Sequence, residues 1–150
     1  MIMANAQEKT GKKIRLIEDL NDLRTYVSEL KNKDLKIGFV PTMGALHKGH
    51  LSLIERALEL CDICIASIYV NPKQFAPHED FASYPRTLES DIADLEKMGT
   101  DAVWLPATEI MYPQNNISDV IVGGVAKPLE GEFRPHFFNG VATVVTRLLL

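Results

Sequence analysis

PTMGALHKGH, residues 41–50, joins two segments of opposite character. The apolar run Ile37-Gly38-Phe39-Val40 leads into it, and LSLIERALEL, residues 51–60, leads out with Leu51, Ile54 and Leu58 at helical spacing. A buried strand running through a tight loop into a helix is the joint at which open α/β sheets bind ligands, beyond the C-terminal ends of their strands. The helix start turns its free N–H groups and positive dipole end toward the loop, which suits an anion such as phosphate. Gly44 permits a tight turn, and Gly49 has no Cβ to hold a ligand off the backbone. His47 and His50 are three residues apart and share a helix face, so two imidazole N–H donors can grip a polyphosphate and strengthen their hold as charge develops. Taken singly, a histidine here is a cap or a surface residue and a glycine only a turn. The joint pattern H-x-G-H, opening a helix directly after a strand, is far more specific.

The rest of the chain repeats the alternation. A helix is expected over Glu18–Lys31, with Leu20, Leu23, Val27 and Leu30 on one stripe, and a strand over Lys36–Val40. The loop Pro41–Ala45 and a helix over Lys48–Leu60 follow, then a strand over Asp62–Val70, apolar nearly throughout, as in a parallel sheet covered on both faces. After a proline-containing loop comes a helix over Leu88–Met98, with Thr87 as N-cap, Glu89 and Asp91 favouring its first turn, and Gly99 ending it. A strand over Asp101–Leu105, a further short strand over Ser118–Val122 and a helix over Gly140–Leu150 complete the pattern. Strand and helix in alternation specify a Rossmann-like, doubly wound parallel α/β sheet. Residues 1–13 are expected to be a disordered extension and 14–150 the folded domain. TRLLL at the end carries no helix stop signal, which predicts that the natural chain continues.

Bulk composition removes several classes of function. The net charge of −4 gives no electrostatic case for nucleic acid or an acidic membrane surface, and no apolar run approaches bilayer length. The polar first residues, MIMANAQEKTGKK, lack the apolar middle of a signal peptide, so the cytoplasm is the expected location. Cys61 and Cys64 read C-x-x-C, but one follows a helix and the other sits inside a strand, where a buried structural thiol is the expectation rather than a redox pair. No acidic residue lies between His47 and His50, so the zinc pattern H-E-x-x-H is absent; Walker A and G-x-G-x-x-G sequences are absent too.

HKGH resembles the H-x-G-H signature of the nucleotidyltransferase and class I synthetase superfamily, which transfers AMP or CMP from a nucleotide. VPTMGALHKGH, SIYVNPKQF, YPRTLESD, MYP and LEGEFRP followed by GVATVV are together similar to the pantothenate synthetase (pantoate–β-alanine ligase) family, from about Ile37 to the end. The resemblance implies ATP-dependent joining of pantoate to β-alanine through pantoyl adenylate, releasing pyrophosphate and then AMP. It implies that Met43, Gly44, Ala45, Leu46, His47, Lys48, Gly49 and His50 form the ATP-binding loop, with His50 as proton donor and His47 on the phosphates. It implies that Gln74 hydrogen-bonds pantoate, that Asn71 lines the same pocket, and that Pro41, Thr42, Val144 and Val145 complete its walls. Pantoate has an apolar gem-dimethyl centre and polar ends, and valines with one placed amide suit that shape. Mg²⁺ is implied with ATP, although no carboxylate cluster identifies protein ligands for it, and a homodimer is implied as the assembly.

The pattern departs from the family in two places. Arg134-Pro135-His136-Phe137-Phe138 carries its histidine one place early, which leaves a phosphate contact from His136 without support. The family also continues into a second half with further pantoate and triphosphate contacts and a closing domain, so this stretch alone is expected to bind ATP weakly and turn over little. The competing functions are another H-x-G-H adenylyl- or cytidylyltransferase, disfavoured by VNPKQF and GVATVV, and a non-catalytic nucleotide-binding module.

Overall fold

The computed structural model describes residues 13–76, 79, 81–115 and 118–150. The expected extension, apart from Lys13, lies outside the described residues. The chain forms two compact units: residues up to Tyr69 with Pro85–Ala107, and Val70–Tyr84 with Thr108–Leu150.

The first unit is the parallel α/β layer. Its elements are β1 (Arg15–Ile17), α1 (Leu20–Asn32), β2 (Ile37–Thr42), α2 (Lys48–Leu60), β3 (Ile63–Ile68), α3 (Leu88–Met98) and β4 (Ala102–Trp104). The four strands are parallel in the order β1-β4-β3-β2, with Val40 opposite Ala66 and Ala66 opposite Val103. Side chains alternate across a strand. One face therefore carries Val40, Cys64, Ala66 and Val103, packed with Ile54 of α2 and Leu95 of α3 into a single core cluster. The other carries Ile65, Ser67, Ala102 and Trp104, each at most 2% exposed. Burial on both faces is what the continuous apolar reading of β3 requires. Cys64 is one of these core residues and Cys61 is the C-cap of α2; neither is in a disulfide.

The expected elements recur with specific differences. Helices over Lys48–Leu60 and Leu88–Met98 appear with the bounds the sequence predicts. The first helix starts two residues late because the Asp19 side chain accepts from the amides of Asn21 and Asp22 and caps it there. β2 runs on through Pro41 and Thr42, which the sequence assigns to the loop. Among the described residues β2 is an edge of the sheet, where proline's missing N–H costs no ladder bond. β1 escapes the sequence because its three residues show only Ile17 buried. Gly99 ends α3 in the left-handed region at φ 86°. Thr87 stands at the N-cap position but makes no cap bond; its hydroxyl donates to Asp91 instead.

The second unit contains a 3-10 turn over Pro72–Gln74, the short helices α4 (Thr108–Met111) and α5 (Glu130–Phe133), and α6 (Phe137–Leu149). The strand expected over Ser118–Val122 is not formed. Its backbone bonds to helix side chains in place of a sheet: Val120 N–H donates to Thr143 Oγ1 at 2.9 Å and Val122 N–H to Asn139 Oδ1 at 2.8 Å. Asn139 and Thr143 are four apart and so share one face of α6, which matches the alternate-residue spacing of the extended chain. α6 lies against the Pro72–Gln74 turn so closely that a Cβ on Gly140 would stand 2.2 Å from the Lys73 carbonyl oxygen. Only glycine permits that approach.

Candidate active site

The loop after β2 is built on one buried carboxylate. Thr42 Oγ1 donates to the Ser67 carbonyl at 2.8 Å and accepts from Gly44 N–H at 3.2 Å, tying the loop's first residues to β3. Gly44 and Ala45 then take left-handed conformations, φ 80° and 50°. This reversal turns the next two amides toward α3, where Ala45 N–H donates to Asp91 Oδ2 at 2.9 Å and Leu46 N–H to Asp91 Oδ1 at 2.8 Å. Asp91 is 3% exposed, and its third donor is the Thr87 hydroxyl at 3.1 Å. The sequence marked Asp91 only as a charge favouring the first turn of α3. That its side chain reaches across 46 residues to the loop is a tertiary fact that helical pattern does not carry.

The two histidines cap the helix reciprocally. His47 is the N-cap of α2; its Nδ1 accepts from Gly49 N–H at 3.1 Å, and its own N–H donates to His50 Nδ1 at 3.3 Å. Their ring centroids are 4.1 Å apart. Both Nδ1 atoms act as acceptors, so the neutral tautomer assigned by these bonds carries its proton on Nε2 in each ring. The pair thus presents two Nε2–H donors at a helix N-terminus. Gly49 also serves the cap itself. A Cβ there would lie 2.9 Å from Cε1 of His47, so its missing side chain makes room for the capping ring. Met43 is half-buried, Gly44 buried, Ala45 and Leu46 half-buried, and Lys48 and Gly49 exposed.

Partial burial, followed by the neighbouring His47, lowers the His50 pKa from 6.5, with Asp91 opposing them. The folded protein therefore binds this proton less readily than the unfolded chain does. The contribution of His50 to stability is complete above about pH 6.5 and is lost as the pH falls through its folded value. Melting temperatures measured across this range are expected to drop below about pH 6.5, and His50→Gln, which keeps an acceptor but does not titrate, is expected to flatten that part of the slope.

In the second unit Asn71 is fully buried and all its bonding capacity is used. Its amide donates to Gln74 Oε1 at 2.9 Å and to the Gly140 carbonyl at 3.1 Å, and its Oδ1 accepts from Lys73 N–H at 3.3 Å and from the Tyr112 hydroxyl at 2.8 Å. Asn71 is therefore placed to orient Gln74. With Gln74 Oε1 engaged, the Gln74 amide NH₂ keeps its capacity to donate. Val144 is buried and Val145 half-buried on α6. Arg134 is engaged by Glu79 at 2.8 Å, Glu130 at 2.9 Å and the Gln74 carbonyl at 2.7 Å, and its guanidinium stacks 4.3 Å from the Phe137 ring centre. His136 stands at the N-cap position of α6 without a side-chain bond to its amides. Tyr112 and Gly140 went unmarked in the sequence, although both fall in motifs it singled out, MYP and GVATVV.

Comparison with known proteins identifies the family. The family model of pantoate–β-alanine ligase matches residues 15–150. The pantothenate synthetase of Hyphomonas neptunium is 51% identical over 137 residues, and that of Bartonella tribocorum 47% over 135. Those alignments take in 91% and 90% of this chain and 47% of each relative. Among solved structures, the pantothenate synthetase of Thermus thermophilus superposes with a TM-score of 0.82 at 44% identity, over 91% of this chain and 48% of that one. A Francisella tularensis pantoate–β-alanine ligase, solved as a complex with β-γ ATP and β-alanine, gives 0.85 at 39% identity, over 91% and 52%. The chain spans about half the length of the curated relatives it matches. With a family match across 15–150, a superposing parallel sheet and H-x-G-H at the joint of β2 and α2, the chain belongs to the pantoate–β-alanine ligase family.

Proposed function

We propose that residues 14–150 supply the N-terminal, ATP- and pantoate-binding part of an enzyme that condenses (R)-pantoate with β-alanine. The observation that carries this is the reciprocal cap of His47 and His50, which leaves two Nε2–H donors at the start of α2 in a chain of this family. The loop Met43–His50 receives the ATP phosphates. As the pantoate carboxylate attacks the α-phosphorus, negative charge grows on the phosphoryl oxygens and on the departing pyrophosphate. Donors aimed there bind the transition state more tightly than the ground state. His50, neutral and partly buried, gains a proton more readily once a polyphosphate lies beside it, which suits it to donate to the leaving group. Gln74, oriented by Asn71, donates to pantoate, and Val144 and Val145 of the same unit offer apolar surface to the gem-dimethyl group. The β-alanine amine then attacks the acyl carbon of pantoyl adenylate and AMP leaves.

Mg²⁺ enters this proposal as the counterion of the triphosphate. No group of three His, Cys, Asp or Glu side chains among the described residues forms a cation site, and Mg²⁺ is commonly held by substrate phosphates and water. No helix among the described residues is long and apolar enough to cross a membrane. A cytoplasmic homodimer acting on small molecules, without nucleic acid or membrane, completes the proposal.

The test is AMP release from ATP, Mg²⁺ and pantoate, with and without β-alanine. It is run on the 150-residue chain alone and joined to the unmatched part of the Hyphomonas neptunium relative. Release that needs both pantoate and β-alanine, and appears only in the joined protein, is the expected result. Release independent of pantoate would overturn the proposal in favour of another nucleotidyl transfer.

A further inference from the structure

We propose that Asp91 is the positioning residue of the histidine loop: its carboxylate fixes the backbone that presents His47 and His50. The inference rests on the reading of those histidines as phosphate ligands and adds to it a residue on a different helix. Three donors converge on this one side chain, and they come from two segments, Ala45 and Leu46 in the loop and Thr87 ahead of α3. A carboxylate this deeply buried is disfavoured unless its lone pairs are occupied. Here they are filled by N–H and O–H groups, and no cation pairs with Asp91 among the described ion pairs.

The loop needs such an anchor. A left-handed Ala45 is strained, since its Cβ crowds the following carbonyl, and strain of this kind persists only where surrounding contacts over-determine it. The two carboxylate bonds act on Ala45 itself and on the residue after it. Gly44 is part of the same fit, because a Cβ there would lie 3.1 Å from Asp91 Oδ2. His47, the N-cap, follows Leu46 directly, so a loop released from Asp91 loses the register in which the two Nδ1 atoms cap α2. The carboxylate also opposes burial and His47 in setting the His50 proton affinity. Asp91 thus acts through the histidines without touching substrate.

The test compares Asp91→Asn with Val103→Ala, a fully buried core substitution in the same unit that leaves the loop bonds intact. An asparagine offers one acceptor oxygen where the carboxylate offers two, so one loop amide faces an NH₂ group. Three quantities are measured on the 150-residue chain: the His50 titration midpoint by NMR, the Ala45 and Leu46 amide shifts, and the Kd for MgATP. Asp91→Asn is expected to lower the His50 midpoint, displace both amide resonances and weaken MgATP about tenfold or more, the worth of one hydrogen bond to a charged group. Val103→Ala is expected to lower the melting temperature and leave all three unchanged. Should Asp91→Asn fail to fold, Thr87→Val removes one of the three bonds and is expected to weaken MgATP by a smaller factor. An unchanged His50 midpoint and Kd in a folded Asp91→Asn, or equal losses in Val103→Ala, would overturn the proposal. A wild-type chain that binds no MgATP would overturn the phosphate reading instead, while the His50 midpoint and amide shifts still decide the positioning role.

Discussion

Replacing His50 by alanine in the joined, active protein is expected to lower kcat for pantoate-dependent AMP release by about 100- to 10,000-fold, the range spanned by a positioned proton donor. Two losses combine in this one substitution. The Nε2–H donor disappears from the helix start, and the His47 amide loses the Nδ1 acceptor that holds it at 3.3 Å. The fold is expected to survive, because the parallel sheet and its core cluster lie elsewhere and a lost helix cap costs only about 1 kcal/mol. His50→Gln separates the two roles. Its Oε1 can replace the cap while its amide donates without delivering a proton, so it is expected to recover ATP affinity more than kcat. His47→Ala should fall short of additivity when combined with His50→Ala, since each ring caps the other's segment. Steady-state kinetics of the two single variants, the double variant and the wild type provide the check, and full additivity would mean that the rings act independently.

Asn71→Asp is expected to raise KM for pantoate and lower kcat/KM by roughly 100-fold, the loss seen when a buried hydrogen-bonding group meets the wrong partner. The substitution changes no volume. It replaces the amide that donates to Gln74 Oε1 and the Gly140 carbonyl by an acceptor. Gln74 can answer by rotating its own amide so that its NH₂ bonds the new carboxylate, which turns Oε1 outward and leaves pantoate an acceptor where it meets a donor in the wild type. Asn71→Ala is the blunter variant. It leaves the Tyr112 hydroxyl and the Gly140 carbonyl without this partner and opens a cavity between the Pro72–Gln74 turn and α6, costing roughly 3 kcal/mol of stability. Denaturant unfolding and pantoate saturation curves distinguish the two. A KM for pantoate unchanged in Asn71→Asp would remove Gln74 from the pantoate site.

Helix–strand alternation, the helices α2 and α3 and the loop beyond Thr42 were legible because each rests on local pattern: helical periodicity in α2 and α3, a continuous apolar run in β3, and a glycine at position 99. The elements misplaced were those in which tertiary partners replace local ones. Val120 and Val122 alternate as a strand would, yet their amides bond Thr143 and Asn139 on α6. β1 is too short to show a period. In the site, H-x-G-H was visible as a motif, whereas one requirement for its glycine, room for the His47 ring, is visible only in space. Asp91 and Asn71 differ in the same way. Each was noted for a role at its own position, and each turns out to bond residues brought to it from elsewhere in the chain.

In the proposed reaction pantoate attacks the α-phosphorus of ATP through its carboxylate. Pantoate labelled with ¹⁸O in that carboxylate, supplied with MgATP and β-alanine to the joined protein, tests it directly by mass spectrometry of the nucleotide product. Attack at the α-phosphorus followed by amine capture at the acyl carbon leaves one carboxylate oxygen on phosphorus, so AMP is predicted to carry one ¹⁸O. Unlabelled AMP, or ADP accompanied by ¹⁸O in inorganic phosphate, would contradict it by placing the attack elsewhere.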